Sequence, residues 1–139
     1  MIDRLFAERL IDKISQFTEY NINVMDEDGI IIASRMKERV GTFHEVAYQL
    51  MKGDEDSRVV TKEDSDKGVK CGVNMVVHVN KRKEGVVGLS GDPREIMPVA
   101  KIVKMTVELM LEYESYKYEN LRKYNLKEQL IHLILYSDD

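Results

Sequence analysis

Arg39, Thr42 and His44 stand close together in the segment RVGTFH, and their side chains could together hold an anion. An arginine guanidinium binds a carboxylate through two parallel hydrogen bonds, and a histidine can donate a further one. Thr42 has the side chain of a helix N-cap, and Glu45 follows at the spacing of a capping box. Because the first backbone amides of a helix are free, we expect a carboxylate site at a helix start at Thr42.

The same residue types also have purely structural explanations. Arg39 could be a solvated cation in a charged loop, and His44 could hydrogen-bond a neighbouring group. Asn74 interrupts an otherwise apolar run, so a buried Asn74 needs a partner, which a ligand hydroxyl or a neighbouring carbonyl would supply. Residue types alone leave both explanations open.

Other kinds of site lack the residues that they need. Cys71 is the only cysteine, so no internal disulfide can form, and His78 and His132 have no partner at metal-binding spacing. The sequence contains no nucleophile elbow and no phosphate-binding loop. We therefore expect a protein that is not an enzyme and that holds no metal and no cofactor.

Composition and charge limit the class of protein. The 139 residues are 43% hydrophobic and 33% charged, as in a folded domain and unlike a disordered chain. The net charge of −4 argues against direct contact of this chain with nucleic acid. No apolar run approaches the roughly 20 residues that span a membrane, and the start MIDRLFAERL is unlike a secretory signal. The expected location is the cytoplasm, without membrane contact.

The hydrophobic pattern predicts two β-hairpins set between helices. Apolar residues at three- and four-residue steps predict helices over residues 2–18 and 42–52. Alternating and β-branched runs predict strands over residues 21–25, 30–34, 58–61, 73–80 and 85–90. The second hairpin is predicted to turn at residues 81–84, and a short helix to end before Pro98, where a long helix begins. This order predicts an α+β domain, with one antiparallel sheet flanked by N- and C-terminal helices.

Four segments, in order and at matching spacing, resemble one known family. They are NINVMDEDGIIIAS, ERVGTFHEVA, GVKCGVN and GVVGLSGDPREI, and the resemblance runs from about Leu5 to about Leu111. The family is the sugar diacid recognition domain, the N-terminal module of bacterial carbohydrate diacid regulators. The family is similar in plan to PAS and Cache-like sensor domains, and its full-length members carry a C-terminal helix-turn-helix.

The resemblance implies the ligand-sensing domain of a bacterial transcriptional regulator, which binds a small hydroxy acid or sugar diacid. The family's Arg-Ile-Gly-Thr-Phe-His run corresponds to residues 39–44, its Gly-Val-Asn run to residues 72–74 and its Gly-Asp-Pro run to residues 91–93. With the serine that ends the second predicted strand, these runs give the expected binding site. The candidate ligand-binding residues are Ser34, Arg39, Gly41, Thr42, Phe43, His44, Asn74 and Gly91.

The C-terminal segment carries an apolar stripe that could pack against a second chain. We expect residues 1–112 to form the sensor domain and residues 113–139 a helical linker toward a missing C-terminal DNA-binding domain. The stripe consists of Leu126, Leu130, Leu133 and Ile134. Regulators that bind paired DNA half-sites are usually two-fold dimers, so we expect a homodimer that contacts DNA only through that further domain. The alternative is a ligand-free dimerisation module, which the stripe also fits.

Overall fold

The computed structural model describes residues 2–61 and 70–136, and the chain forms two compact units, Met1–Glu108 and Leu109–Asp139. In chain order the elements are helix α1 (Arg4–Ile14), strands β1 (Ile22–Met25) and β2 (Ile31–Ser34), a 3-10 turn (Lys37–Arg39), helix α2 (Glu45–Lys52), strands β3 (Ser57–Val60), β4 (Gly72–Val79) and β5 (Arg82–Ser90), and helix α3 (Pro93–Tyr136). The predicted α+β class with an antiparallel sheet is confirmed.

The five strands are all antiparallel and lie in the order β2-β1-β5-β4-β3. The last strand in the sequence, β5, therefore lies at the centre of the sheet. The register sets Asn23 opposite Gly88 on one side of β5, and Gly88 opposite Asn74 on the other. Ser34 on β2 extends the same row, because it pairs with Asn23. Residues in one such row share a face of the sheet, so distant parts of the chain meet here.

The two faces of the sheet have separate apolar cores. Helix α2 packs on the first face, where the fully buried cluster consists of Met25, Ile31, Ala47, Leu50, Val76 and Val86. The alternate strand residues, such as Val24 and Val87, are buried on the opposite face. Helix α1 buries Ala7, Leu10 and Ile11, and the first part of α3 buries Ile96, Ala100, Val103 and Val107. The first face, with α2, is the one that carries the row of Asn23, Gly88 and Asn74.

The second hairpin turns earlier than the sequence pattern predicts. Asn80 and Lys81 form its turn with positive φ angles of 52° and 66°, and β5 begins at Arg82. Two-residue turns with two positive φ angles match the right-handed twist of paired strands, and asparagine tolerates that conformation. The predicted turn over residues 81–84 is therefore wrong.

Helix α3 does not break at Pro98. It runs without interruption from Pro93 to Tyr136, and at its start the Asp92 carboxylate accepts a hydrogen bond from the Arg94 amide at 3.0 Å. Pro98 lacks the N–H that would bond the carbonyl of Arg94, but Arg94 is exposed, so water can satisfy that carbonyl. The predicted boundary between two helices at Pro98 is therefore wrong.

The second compact unit consists of α3 from Leu109 onward. Every described side chain from Glu112 to Tyr136 is exposed. Many of them are apolar, among them Leu121, Leu130 and Ile134. Across residues 2–61 and 70–136, none of the helices combines the length and the apolar character that crossing a membrane requires.

Candidate functional site

A small pocket opens on the face of the sheet that carries α2. Its lining residues are Asn23, Arg39, His44, Lys70, Asn74, Gly88, Leu89 and Ser90. The strands supply the amide side chains and the glycine, whereas the cations come from segments that precede α2 and β4. No carboxylate belongs to this described lining, so the pocket presents two cationic side chains and no acidic one.

His44, rather than Thr42, caps helix α2. The His44 Nδ1 atom accepts a hydrogen bond from the Ala47 amide at 3.1 Å, and the helix begins at Glu45. The Thr42 hydroxyl instead donates to the Arg39 carbonyl at 2.6 Å. The predicted N-cap at Thr42 is therefore wrong, and the capping box with Glu45 does not form.

Pairing of the preceding loop with β2 explains why the helix starts late. The Gly41 amide donates to the Ile31 carbonyl at 2.8 Å, and the Ile31 amide donates to the Thr42 carbonyl at 2.9 Å. The His44 amide donates to the Gly29 carbonyl at 2.7 Å. These amides are already satisfied within the protein, so the expected anion site made of free helix amides at Thr42 is wrong. The side chains of the pocket are therefore the groups left to bind an anion at this loop.

The cap also decides which protonation state His44 presents. Because Nδ1 accepts a hydrogen bond, a neutral imidazole carries its proton on Nε2. Burial of the ring and, second, the positive charge of Arg39 lower the pKa of His44 from 6.5 to about 4. At neutral pH His44 is therefore uncharged and offers Nε2–H as a hydrogen-bond donor.

Arg39 and Lys70 are cations without counter-ions in the described part of the chain. The Arg39 Nη1 atom is buried and has no hydrogen-bond partner there. Neither side chain forms a salt bridge with a described carboxylate, and among the described residues the Lys70 ammonium donates a hydrogen bond to the Met36 sulfur at 3.2 Å. Lys70 is exposed, whereas the buried Arg39 nitrogen without a partner costs free energy, which an anion in the pocket would recover.

Two buried carboxamides form the sheet side of the pocket. Asn23 and Asn74 are 3% and 4% exposed, and Gly88 lies between them on β5. A Cβ atom at position 88 would lie 2.5 Å from the Asn74 Oδ1 atom. Only glycine therefore leaves room for the Asn74 carboxamide to lie over the central strand.

Of the eight residues expected from the sequence, three line this pocket: Arg39, His44 and Asn74. Ser34 does not line the pocket itself, but its hydroxyl donates a hydrogen bond to the Oδ1 atom of Asn23, which does. Ser34 also borders a separate groove beside α1.

The other four expected residues do not line the pocket. Gly41 and Thr42 are exposed, and Phe43 turns outward to pack on Tyr48, with ring centroids 5.6 Å apart. Gly91 follows the pocket residue Ser90 and has a φ of 144°. The structure therefore separates the segment RVGTFH into residues that face the pocket and residues that face solvent.

Sequence reasoning missed Asn23, Lys70 and Ser90 as neighbours of the site. A signal for Asn23 was present, because it is a polar residue between apolar residues in a strand, as Asn74 is. Lys70 and Ser90 gave no comparable signal. Within the described residues, no group of three or more His, Cys, Asp or Glu side chains could hold a metal ion.

Comparison with known proteins bears on what this pocket is for. A family model described as "Putative sugar diacid recognition" matches residues 2–134. The chain is 30% identical over 142 residues to the carbohydrate diacid regulator of Escherichia coli (strain K12), covering 99% of this chain and 36% of that protein. It is 36% identical over 110 residues to the uncharacterized protein YsfB of Bacillus subtilis (strain 168), covering 78% of this chain and 30% of YsfB. The chain thus spans about a third of the length of these relatives.

Proposed function

Because the chain belongs to the sugar diacid recognition family, we propose that it is the ligand-sensing domain of a transcriptional regulator and has no catalytic role. Its ligand is a small hydroxy acid or a sugar diacid. We propose that the domain is a PAS or Cache-like sensor; the antiparallel sheet with one helix on the face that carries the pocket supports this assignment. In this assignment residues 1–112 are the sensor, and residues 113–139 are a linker toward a DNA-binding domain.

The unpaired Arg39 guanidinium is the observation that carries this proposal. One ligand carboxylate binds at Arg39, where the buried Nη1 atom has no other partner, and accepts a further hydrogen bond from His44 Nε2–H. Lys70 adds a second positive charge to the pocket lining. The ligand hydroxyls lie against the carboxamides of Asn23 and Asn74. The pocket thus separates charge recognition from hydroxyl recognition.

Thermal unfolding in the presence of matched compounds tests this function. We expect galactarate or glycerate to raise the melting temperature, because a ligand that binds only the folded state stabilises it. Galactitol has the hydroxyls of galactarate without its carboxylates, and should give no shift because nothing neutralises Arg39. Equal shifts of the melting temperature with galactitol and galactarate would contradict the recognition of a carboxylate by Arg39. If no acid shifts the melting temperature, the sensing function is rejected.

We further propose that ligand occupancy is relayed to α3 through Gly91, Asp92 and Pro93. Ser90 lines the pocket, and the following Gly91 amide donates to the Cys71 carbonyl at 3.0 Å. Asp92 then binds the first turn of α3 through the Arg94 amide. Gly91 and Asp92 therefore connect the pocket residue Ser90 to Pro93, the first residue of the helix. A relay of this kind needs two arrangements of the helix that the ligand binds with different affinity.

The apolar surface of the C-terminal part of α3 supports a homodimer, in which terminal helices of two chains pack together. Leu126, Leu130 and Ile134 are exposed at 53%, 60% and 76%. A helix with so many exposed apolar side chains is stabilised when a second helix covers them. A dimerisation module without a ligand remains the second candidate function, because this observation alone would support it.

We expect this chain to sediment as a dimer at tens of micromolar, and a version ending at Glu112 to sediment as a monomer. The Leu130→Glu/Ile134→Glu variant should also be monomeric, because it places carboxylates in the proposed contact. The matched control, Lys123→Glu/Lys127→Glu, adds carboxylates at the same spacing but replaces exposed polar residues. Sedimentation velocity checks all four proteins. Monomers throughout would contradict the dimer, whereas a dimer that binds none of the acids would favour the ligand-free module.

A further inference from the structure

We propose that Asn23, held in one orientation by Ser34, is the residue that makes this pocket prefer hydroxylated acids over acids of the same length without hydroxyls. This inference rests on the proposed sensing function and assigns specificity within the same pocket. Ser34 is then a positioning residue, which acts on the ligand only through Asn23.

A chain of two hydrogen bonds fixes the Asn23 carboxamide. The Met36 amide donates to the Ser34 Oγ atom at 3.0 Å, so the serine proton is free to be donated onward. The Ser34 hydroxyl donates it to the Asn23 Oδ1 atom. Both side chains are buried, at 6% and 3% exposure, so this contact is shielded from competing water. The Asn23 amide oxygen is thereby occupied, and its Nδ2–H₂ group is the part left to meet a ligand.

Asn74 supplies the complementary hydrogen-bonding groups. Its carboxamide has no hydrogen-bond partner among the described residues, and its Oδ1 atom lies over Gly88. Asn23 and Asn74 are each one strand away from Gly88 in the same row, so both amides border the space above the glycine. A hydroxyl can accept from Asn23 Nδ2 and donate to Asn74 Oδ1. A methylene can do neither.

Because the two carboxamides are buried, the difference between a hydroxyl and a methylene becomes a difference in binding affinity. A methylene chain in the pocket would exclude water from Asn23 Nδ2 and Asn74 Oδ1 without offering either atom a hydrogen bond. Sites built to hydrogen-bond a hydroxyl reject the analogue that lacks it far more strongly than apolar pockets discriminate by size. The cations at the pocket cannot produce this preference, because both kinds of acid carry the same carboxylates.

Isothermal titration of the whole chain with two matched pairs of probes tests this role. The pairs are galactarate with adipate, and glycerate with propionate. We expect the wild-type chain to bind each hydroxy acid at least about 100-fold more tightly than its counterpart. Asn23→Leu, which has a similar volume and no polar atoms, should lower this ratio by about tenfold or more. The ratio falls because the hydroxy acid binds more weakly while its counterpart does not.

Two further variants separate this role from a general structural effect. Ser34→Ala should lower the ratio in the wild-type background but leave it unchanged in the Asn23→Leu background, since Ser34 acts only through Asn23. Ser34→Ala also keeps the inference testable if Asn23→Leu does not fold. Asn21→Leu is the control, because Asn21 precedes β1 and does not line the pocket.

The outcomes distinguish this inference from the function on which it rests. An unchanged ratio in both Asn23→Leu and Ser34→Ala, with binding still dependent on Arg39, would overturn the inference and leave the sensing function intact. An equal loss of affinity for both members of each pair would assign Asn23 a structural role and also overturn it. If the wild-type chain binds none of the four acids, the inference falls together with the proposed function.

Discussion

We expect Arg39→Ala to lower the affinity of the chain for galactarate or glycerate by about 10- to 100-fold. A charge-assisted hydrogen bond to a buried group contributes roughly 1.5–3 kcal/mol, which corresponds to that range. The melting temperature of the ligand-free protein should not fall, because the variant removes a buried nitrogen that has no hydrogen-bond partner among the described residues. Isothermal titration and thermal unfolding measure the two effects separately.

Lys37→Ala is the matched control for Arg39→Ala. Lys37 belongs to the same 3-10 turn and carries the same charge, but it borders the groove beside α1 instead of the pocket. Its removal should leave the affinity nearly unchanged. Equal losses in the two variants would mean that the turn attracts the acid only through its overall charge. Wild-type affinity in Arg39→Ala would place the carboxylate elsewhere.

We expect the protein to lose about 2 kcal/mol of its free energy of unfolding between pH 7 and pH 5 because of His44. Its pKa is about 4 in the folded protein and 6.5 as the ordinary value, so the unfolded chain takes up a proton in this range and the folded chain does not. Stability must therefore fall as the pH falls from about 6.5 toward 4, and change little from this residue above pH 7. Urea denaturation at pH 7, 6 and 5 measures the effect.

Asn is the informative replacement for His44, because its side-chain oxygen can accept the Ala47 amide without titrating. His44→Asn should lose the pH dependence between pH 7 and 5 while it keeps the cap of α2. His132→Asn, which removes an exposed histidine from the C-terminal part of α3, should retain the wild-type profile. The assignment to His44 would be refuted by parallel profiles of wild type and His44→Asn.

Both predictions concern hydrogen-bond donors in the pocket that the folded protein leaves unpaired. The protein keeps His44 neutral and holds Arg39 with a buried nitrogen that no described residue satisfies. The unpaired Arg39 nitrogen costs stability at neutral pH and the neutral His44 does so as the pH falls below about 6.5, and each leaves a donor available to an anion. Ligand binding is expected to stabilise the domain because it satisfies donors that folding alone leaves unpaired.

Most secondary structure could be predicted from the sequence, because it depends on neighbouring residues. The turn between the first two strands is an example: the Asp26 carboxylate accepts hydrogen bonds from the Asp28 and Ile30 amides at 2.9 and 3.0 Å, as its residue types suggest. Gly53 ends α2, with its amide bonded to the Gln49 carbonyl, and a glycine directly after a helical pattern is itself a signal for a helix end. Local rules were insufficient at two places. At Pro98 the sequence permits either a helix boundary or a continuous helix with one solvated carbonyl. In the second hairpin it permits a turn at Asn80–Lys81 as well as one over residues 81–84.

The binding site shows what the sequence by itself determined and what only the tertiary structure decided. Arg39 and His44 were recognisable as anion-binding residue types, and Asn74 as a polar residue in an apolar strand. Their meeting in one pocket depends on the order β2-β1-β5-β4-β3, which brings Asn23 and Asn74 to the two sides of Gly88. The N-cap of α2 is His44 and not the predicted Thr42, because residues 41–44 hydrogen-bond to the first hairpin. Both outcomes follow from pairing between separate segments, and no single segment contains the information on its partner.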